Sequence, residues 1–407
     1  MSTIQEAAMS SHGRLWEVFW TALKLGLTSF GGPAAHIGYF RDTYVDKLRW
    51  VRDEQFADMN ALSQLLPGPS SSQLGMAIGM RRAGWLGGIA AWAGFTLPSA
   101  CLLILFAFGI GWLPGEVPGW LQGLKLVAIP VIIHALRGMS AQLTPDPLRK
   151  TIAASAAVGA LTVPGTYGQI AIIGLSAAAG WLLLRKPSQQ QAKPEGSGEA
   201  PEAVLPLRFS MTMLILFGAG CILLPWLAGA LPGPATKLAD MMFRTGSLVF
   251  GGGHVMLPLL AEELSGGGIM GESALLAGYG AAQAVPGPLF TFAGFVGASL
   301  APGWLGTLYG IVALVFIFLP GYLLVAASLP FAERLRTWSG VRAALGGINA
   351  AVVGLLLAAL YQPVWTTSVQ GPAHFVIVLI GSLLLMAWKL PPWSVVLVSA
   401  LCGAVLL

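Results

Sequence analysis

Charge is scarce in this sequence. Asp, Glu, Lys and Arg together make up 10% of its 407 residues, where a soluble domain carries about a quarter. That shortage excludes a water-facing surface over most of the chain, and the mean hydropathy of +0.75 suits a bilayer instead. Cysteine is scarce as well. Cys101, Cys221 and Cys402 lie far apart in apolar segments, which leaves no metal or redox spacing, so they read as small packing residues. The GxxxxGK[ST] loop is missing, so ATP hydrolysis by this chain is not expected. No HExxH pair and no Cys cluster points to a metal enzyme, and no cofactor is implied. The N-terminus, "MSTIQEAAMSSHGRLWEVFW", lacks the basic region and apolar core of a cleaved signal peptide. The net charge of +5 is modest; beside a membrane it reports basic loops and gives no reason to invoke nucleic acid.

What is abundant is apolar sequence. Thirteen apolar segments run from 15–37 to 392–407, and their runs do not alternate as barrel strands do. The expected fold class is an all-α polytopic membrane protein whose partner is the lipid bilayer. One clearly polar stretch, "RKPSQQQAKPEGSGEAPEAVLPLR" at 185–208, reads as a disordered linker.

The two sides of that linker match. "KLGLTSFGGP" (24–33) aligns with "RTGSLVFGGG" (244–253), and "QLLPGP" (64–69) with "QAVPGP" (283–288). "GWLGG" (84–88) aligns with "GWLGT" (303–307), and "TLPS" (96–99) with "FLPG" (318–321). Four landmarks in one order at almost one offset indicate an internal duplication. The expected organisation is a first membrane repeat at 1–187, a linker at 188–208, a connecting transmembrane helix at 209–234, and a second repeat at 235–407.

Basic residues set the orientation. Arg81, Arg82, Arg137, Arg149, Lys150, Arg185 and Lys186 fall at alternate turns, and the intervening turns carry none. The linker is therefore expected in the cytoplasm. Arg81 and Arg82 follow the first PGP segment, whereas "SLAPG" (299–303) after the second has no basic residue. The repeats are thus expected to be inverted, with the extra helix near 211–231 making the inversion possible. Inverted repeats are a transporter architecture with the site at the repeat interface near the midplane. Whether the FGGP and PGP segments cross fully or re-enter is left open by parity.

The chemistry is expected at the breaks. Pro67 and Pro69 end a helix inside an apolar segment, and a new one starts near Ser70. Its free N–H groups and positive pole suit an anion. Gly31, Gly32 and Pro33 have the same logic, as do Gly251 and Gly252, and Pro286, Gly287 and Pro288. Gly68, Ser70 and Ser71 complete the first PGP site. Lys24 and Arg244 each stand seven residues before a break; an intramembrane cation costs about 2.5–3.5 kcal/mol unless it is paired or wet. His36 and His254 follow the breaks, and Gln64 and Gln283 precede the PGP turns; all four side chains can donate to an oxyanion. Asn60 and Asn349 are weaker instances. Intramembrane carboxylates are few, with Glu17, Asp58 and Asp240 the best placed, so no dedicated proton relay is evident.

These motifs resemble the chromate ion transporter superfamily in its long-chain, two-domain form. The resemblance rests on "FGGP" (30–33), "LLPGPSSSQL" (65–74), "AGWLGG" (83–88), "FGGGHVMLPLL" (250–260) and "QAVPGPLFTFAGFVG" (283–297). It implies a bacterial inner-membrane carrier that expels chromate and confers resistance, with sulfate as a competing look-alike. It also implies antiparallel repeats, and a homodimer is one assembly open to such a carrier. Gly253 stands where the first repeat has Pro33, and Leu289-Phe290-Thr291 where it has Ser70-Ser71-Ser72. The first repeat is therefore expected to hold most anion contacts. The competing readings are a carrier for sulfate or another oxyanion, an anion channel, and an intramembrane lipid enzyme, for which no base–nucleophile pair is present.

Overall fold

The computed structural model describes residues 11–111, 118–163, 165–185, 205–231, 233–250, 252–266, 269–331 and 338–407. Most of the polar linker, Gly251, and Arg334 and Arg336 lie outside them. The described residues are helical, with no strand among them. Five helices are long and apolar enough to cross a membrane: 70–110, 119–143, 207–230, 303–331 and 339–368. The protein is a multi-pass helical membrane protein.

In the first half, α1 (Ser11–Thr28), α2 (Gly32–Phe40), α3 (Asp53–Leu65) and α4 (Ser70–Gly111) precede α5 (Gly119–Leu126), α6 (Ala128–Leu143), α7 (Pro147–Thr162) and α8 (Thr166–Leu183). After the linker comes α9 (Leu207–Ala230). The second half then runs α10 (Pro234–Leu248), α11 (Met256–Gly266), α12 (Glu272–Ala282), α13 (Phe292–Ala298), α14 (Gly303–Ser328), α15 (Ser339–Ala359), α16 (Pro372–Ser382) and α17 (Pro392–Leu406).

The long helix α4 is not straight. Ala83 and Gly84 leave helical geometry, with Gly84 at φ +68°. The two arms fold back so closely that a Cβ on Gly87 would strike the Gly79 carbonyl. The arm 85–111 is therefore the spanning one, and 70–82 is a half-length helix. The second half has the same hairpin, with α13 and α14 in contact through Gly297 and Tyr309.

The chain turns back at the FGGP segment. Glu17 on α1 pairs with Arg82 at 3.0 Å, and Gly26 lies against the Phe95 carbonyl. So α1 runs alongside the second arm of α4 and stops near its middle. The chain then turns back: the rings of Phe40 and Phe95 are 5.1 Å apart, and Arg82 stacks over Trp50 at 5.1 Å. By residue 50 the chain has returned to the level where α1 began. At ~1.5 Å per residue, the nine residues of α2 cover about 14 Å, half of a ~30 Å hydrocarbon core. In the second half Arg244 on α10 reaches Glu263 on α11 at 3.1 Å, so α11 returns beside α10 in the same way.

The two halves interlock through their final helices. Gly123 on α5 packs against the Ser399 carbonyl on α17, and Gly347 on α15 against the Ser176 carbonyl on α8. Small residues permit this approach, which is how membrane helices gain contact without a hydrophobic driving force between them.

Candidate functional site

Each break is written in the local sequence. The last helical bond of α1 is Ser29 N–H to the Leu25 carbonyl, 2.8 Å. Gly31 at φ +99° and Gly32 at φ +75° then turn the chain in the left-handed region, and Pro33 starts α2. In the PGP turns, prolines remove amide donors on both sides of Gly68 (φ +120°) and Gly287 (φ +98°). Broken backbone in a membrane must find partners within the protein. It does so across the halves: Gly68 N–H donates to the Val249 carbonyl at 2.7 Å, and Gly287 N–H to the Ser29 carbonyl at 2.9 Å.

Those two bonds join the breaks in pairs, and the pairs are linked by His36 Nδ1 at 3.2 Å from Ser71 Oγ and by Gly253 packed against Leu289. A Cβ on Gly68 would lie 3.2 Å from Gly321 Cα, and one on Gly287 2.9 Å from Ser99 Oγ. Gly321 and Ser99 lie near the middles of α14 and the spanning arm of α4. The meeting point is therefore well inside the helix layer.

The residues at this point differ in setting. His36 is 1% exposed; its Nδ1 lies 3.2 Å from Ser71 Oγ and its ring meets Phe95 edge-on at 5.3 Å. Ser71 is buried and Ser70 half-buried at the first turn of α4; Pro69 is buried, while Pro67 and Pro33 are half-buried. Gln64 is exposed on α3 and donates to Asn60 Oδ1 at 3.3 Å. In the second half, His254 is hydrogen-bonded to the fully buried Tyr279 hydroxyl at 2.7 Å. Gln283 Nε2 is buried with no partner among the described residues. Pro286 and Pro288 are buried beside the half-buried Gly287, and Gly252 is buried.

The two cations are placed differently. Lys24 is exposed on α1. Arg244 is held by Asp240 at 2.7 Å and Glu263 at 3.1 Å, which ties α10 to α11. Its charge is answered by carboxylates, one of which lies 19 residues away and gives no signal of pairing in the sequence.

Residues beyond the expected set also line the meeting point. Gln73 is fully buried and donates Nε2 to the Pro67 carbonyl at 2.8 Å, covering an acceptor that the prolines leave open. Ser29, Ser72, Thr96 and Ser99 are buried there too. Their signal was a polar residue inside an apolar run, which is weak when each is taken alone.

The profile of the chromate transporter family matches residues 16–181 and 236–404, one segment on each side of the linker. The chain belongs to the chromate transporter family. It is 29% identical over 410 residues to the chromate transport protein of Pseudomonas aeruginosa, covering 95% of this chain and 91% of that one. It is 27% identical to the chromate transport protein of Cupriavidus metallidurans, over 94% and 91%. It is 26% identical to an uncharacterized transporter of Methanocaldococcus jannaschii, over 96% and 94%. No solved structure matches it significantly. The family is one of transporters, and the four breaks lie within the matched segments.

Proposed function

We propose that this member of the family is a secondary carrier that expels chromate across a bacterial inner membrane, driven by the membrane potential or proton motive force, and so confers chromate resistance. The observation that carries the reading is the meeting of four helix breaks through bonds exchanged between the halves. It gathers the positive end of the 70–82 helix and several donors inside the helix layer, which supports a site where a tetrahedral dianion is stripped of water.

The reading includes two inverted repeats, 1–187 and 235–407, joined by a cytoplasmic linker (188–208) and a crossing helix (209–234). The reciprocal bonds of Gly68 and Gly287, and the two re-entrant hairpins in each half, support it. The anion site is built from Gly31, Gly32, Pro33, His36 and the segment 67–71 of the first half, facing Gly252, Gln283 and 286–288 of the second. Lys24 and Gln64 lead toward it.

Energetics favours export. Each charge crossing ~100 mV is worth about 2.3 kcal/mol, so a dianion leaving an inside-negative cell gains about 4.6 kcal/mol. That sustains a gradient of roughly three decades without ATP or a coupled ion.

The test is chromate flux in proteoliposomes under an imposed potassium diffusion potential, with sulfate as competitor. Flux that follows the sign of the potential and falls with sulfate is expected. Sulfate flux that needs a proton or sodium gradient, with no chromate flux, would make the protein a coupled oxyanion importer. Flux without saturation would make it a channel.

A further inference from the structure

Three side chains at the meeting point are almost wholly buried and carry a hydroxyl with no hydrogen-bond partner among the described residues. They are Ser29 Oγ, Ser72 Oγ and Thr96 Oγ1, on residues that are 0, 2 and 3% exposed, and His36, 1% exposed, lies among them. An orphaned buried polar group is costly, and native proteins hold few of them. Three in one place need a reason.

The hydroxyls come from one break and the two arms of α4, and His36 on α2 ties them together. Its ring is hydrogen-bonded to the Ser29 backbone, and its Nδ1 meets Ser71, next to Ser72. It also packs on Phe95, the neighbour of Thr96. The Ser29 carbonyl receives Gly287 from the other half. Each of the three hydroxyl residues thus either contacts His36 or adjoins a residue that does, beside the first turn of the 70–82 helix. A serine or threonine in a membrane helix commonly donates back to its own helix, as Ser99 does to the Thr96 carbonyl at 3.1 Å. Thr96 does not.

We infer that Ser29, His36, Ser72 and Thr96 form an uncharged donor cage for the oxyanion, so that the dianion is held by hydroxyls, an imidazole N–H and helix amides, with no side-chain cation among them. This rests on the carrier reading and names its ligands. The cage explains how an anion is bound at mid-depth without a permanent charge there. A neutral cage loses only hydrogen bonds when it empties, so both loaded and empty forms can reorient. Gln73 Oε1, also orphaned and fully buried, is an acceptor that a dianion would repel, so it is not counted among the donors.

The inference predicts an unusual pair of effects. Removing an orphaned hydroxyl relieves the empty protein and weakens the loaded one. Full-length protein in detergent is to be unfolded thermally with and without sulfate or chromate, and the same variants assayed for chromate flux in proteoliposomes. Thr96→Val and Ser29→Ala should unfold no earlier than the wild type without anion, lose most of the anion-induced shift, and show KM for chromate raised about tenfold, the worth of one hydrogen bond to a charged group. Thr96→Ser should restore KM. Thr291→Val is the opposite case, since its hydroxyl is already bonded to the Pro288 carbonyl at 2.7 Å: it should unfold earlier and keep its KM. Wild-type KM and anion-induced shift in both Thr96→Val and Ser29→Ala would overturn the cage and leave the carrier reading standing. A wild type with neither flux nor anion-induced shift would overturn both.

Discussion

The two halves make the same turns with different contents. At offsets of 219 to 222, Ser29 corresponds to Val249, His36 to Met256, Gln73 to Phe292 and Thr96 to Phe318. All eight are buried. The first-half set is polar and partly orphaned, and the second-half set is apolar and packed. Phe292 and Phe295 stack with centroids 5.9 Å apart, and Phe318 contacts Phe290 at 5.7 Å. Even the one hydroxyl retained near the second PGP turn, Thr291, is spent on its own backbone. The backbone bonds, by contrast, are held in common. A duplicated scaffold keeps its geometry because each half satisfies the other's broken helix. On the proposed anion-site reading its side chains specialise, one half toward the ligand and the other toward a rigid wall.

The sharpest way to break this comparison is at the shared bonds. Gly68→Ala and Gly287→Ala each put a side chain on a positive-φ residue that also touches its surroundings. Each should cost about 3 kcal/mol and abolish transport, as read by thermal unfolding and vesicle flux. The geometry predicts equal damage. If Gly287→Ala is tolerated where Gly68→Ala is not, the halves do not support one another reciprocally.

The next test separates the two cations. Arg244 is 27% exposed and Asp240 and Glu263 are 12% and 15% exposed at the side chain. Arg244→Gln leaves two buried carboxylates without their shared guanidinium, which should cost about 2–3 kcal/mol. Lys24→Gln should leave the unfolding midpoint where it was and raise KM for chromate several-fold, because an exposed amine near the break attracts the anion without holding the fold together. Equal stability loss in both would mean that the aligned cations share a structural role.

Much of this was legible in the sequence and some was not, for identifiable reasons. Proline and glycine set local backbone, so the breaks at 31–33, 67–69 and 286–288 could be placed from composition alone. Hydropathy showed a membrane protein because few charges interrupt it. Arg81 and Arg82 marked the turn between 70–82 and 85–111, but hydropathy could not show how closely the two arms pack, with Gly79 against Gly87. Nor could it show the meeting of Ser29 with Gly287 or Gly68 with Val249, pairs separated by 258 and 181 residues. The pairing of Glu263 with Arg244 becomes visible only when α11 is seen to return beside α10. Ser29 and Thr96 looked like ordinary hydroxyls because a missing partner is a property of three-dimensional packing.

The smallest difference between the halves lies at a helix start outside the candidate spans. Both α7 and α16 begin with proline, but only α7 has a side-chain cap. Asp146 accepts the Arg149 amide at 2.9 Å, while Gly371 before α16 caps nothing. The amide bond, with the Arg149 charge, lowers the Asp146 carboxyl below its ordinary value. A depressed carboxylate contributes stability above the unfolded pKa, about 3.9, and loses it as pH falls through the lower folded value. Asp146→Ala should therefore unfold slightly earlier than the wild type at pH 7 and match it in strong acid. Gly371 has extended backbone at φ −173° and free space for a side chain, so Gly371→Asp should supply the missing cap and raise the midpoint at pH 7 alone. If Gly371→Asp instead lowers the midpoint, the α16 start is held by contacts that α7 does not need, and the correspondence between the halves ends before their final helices.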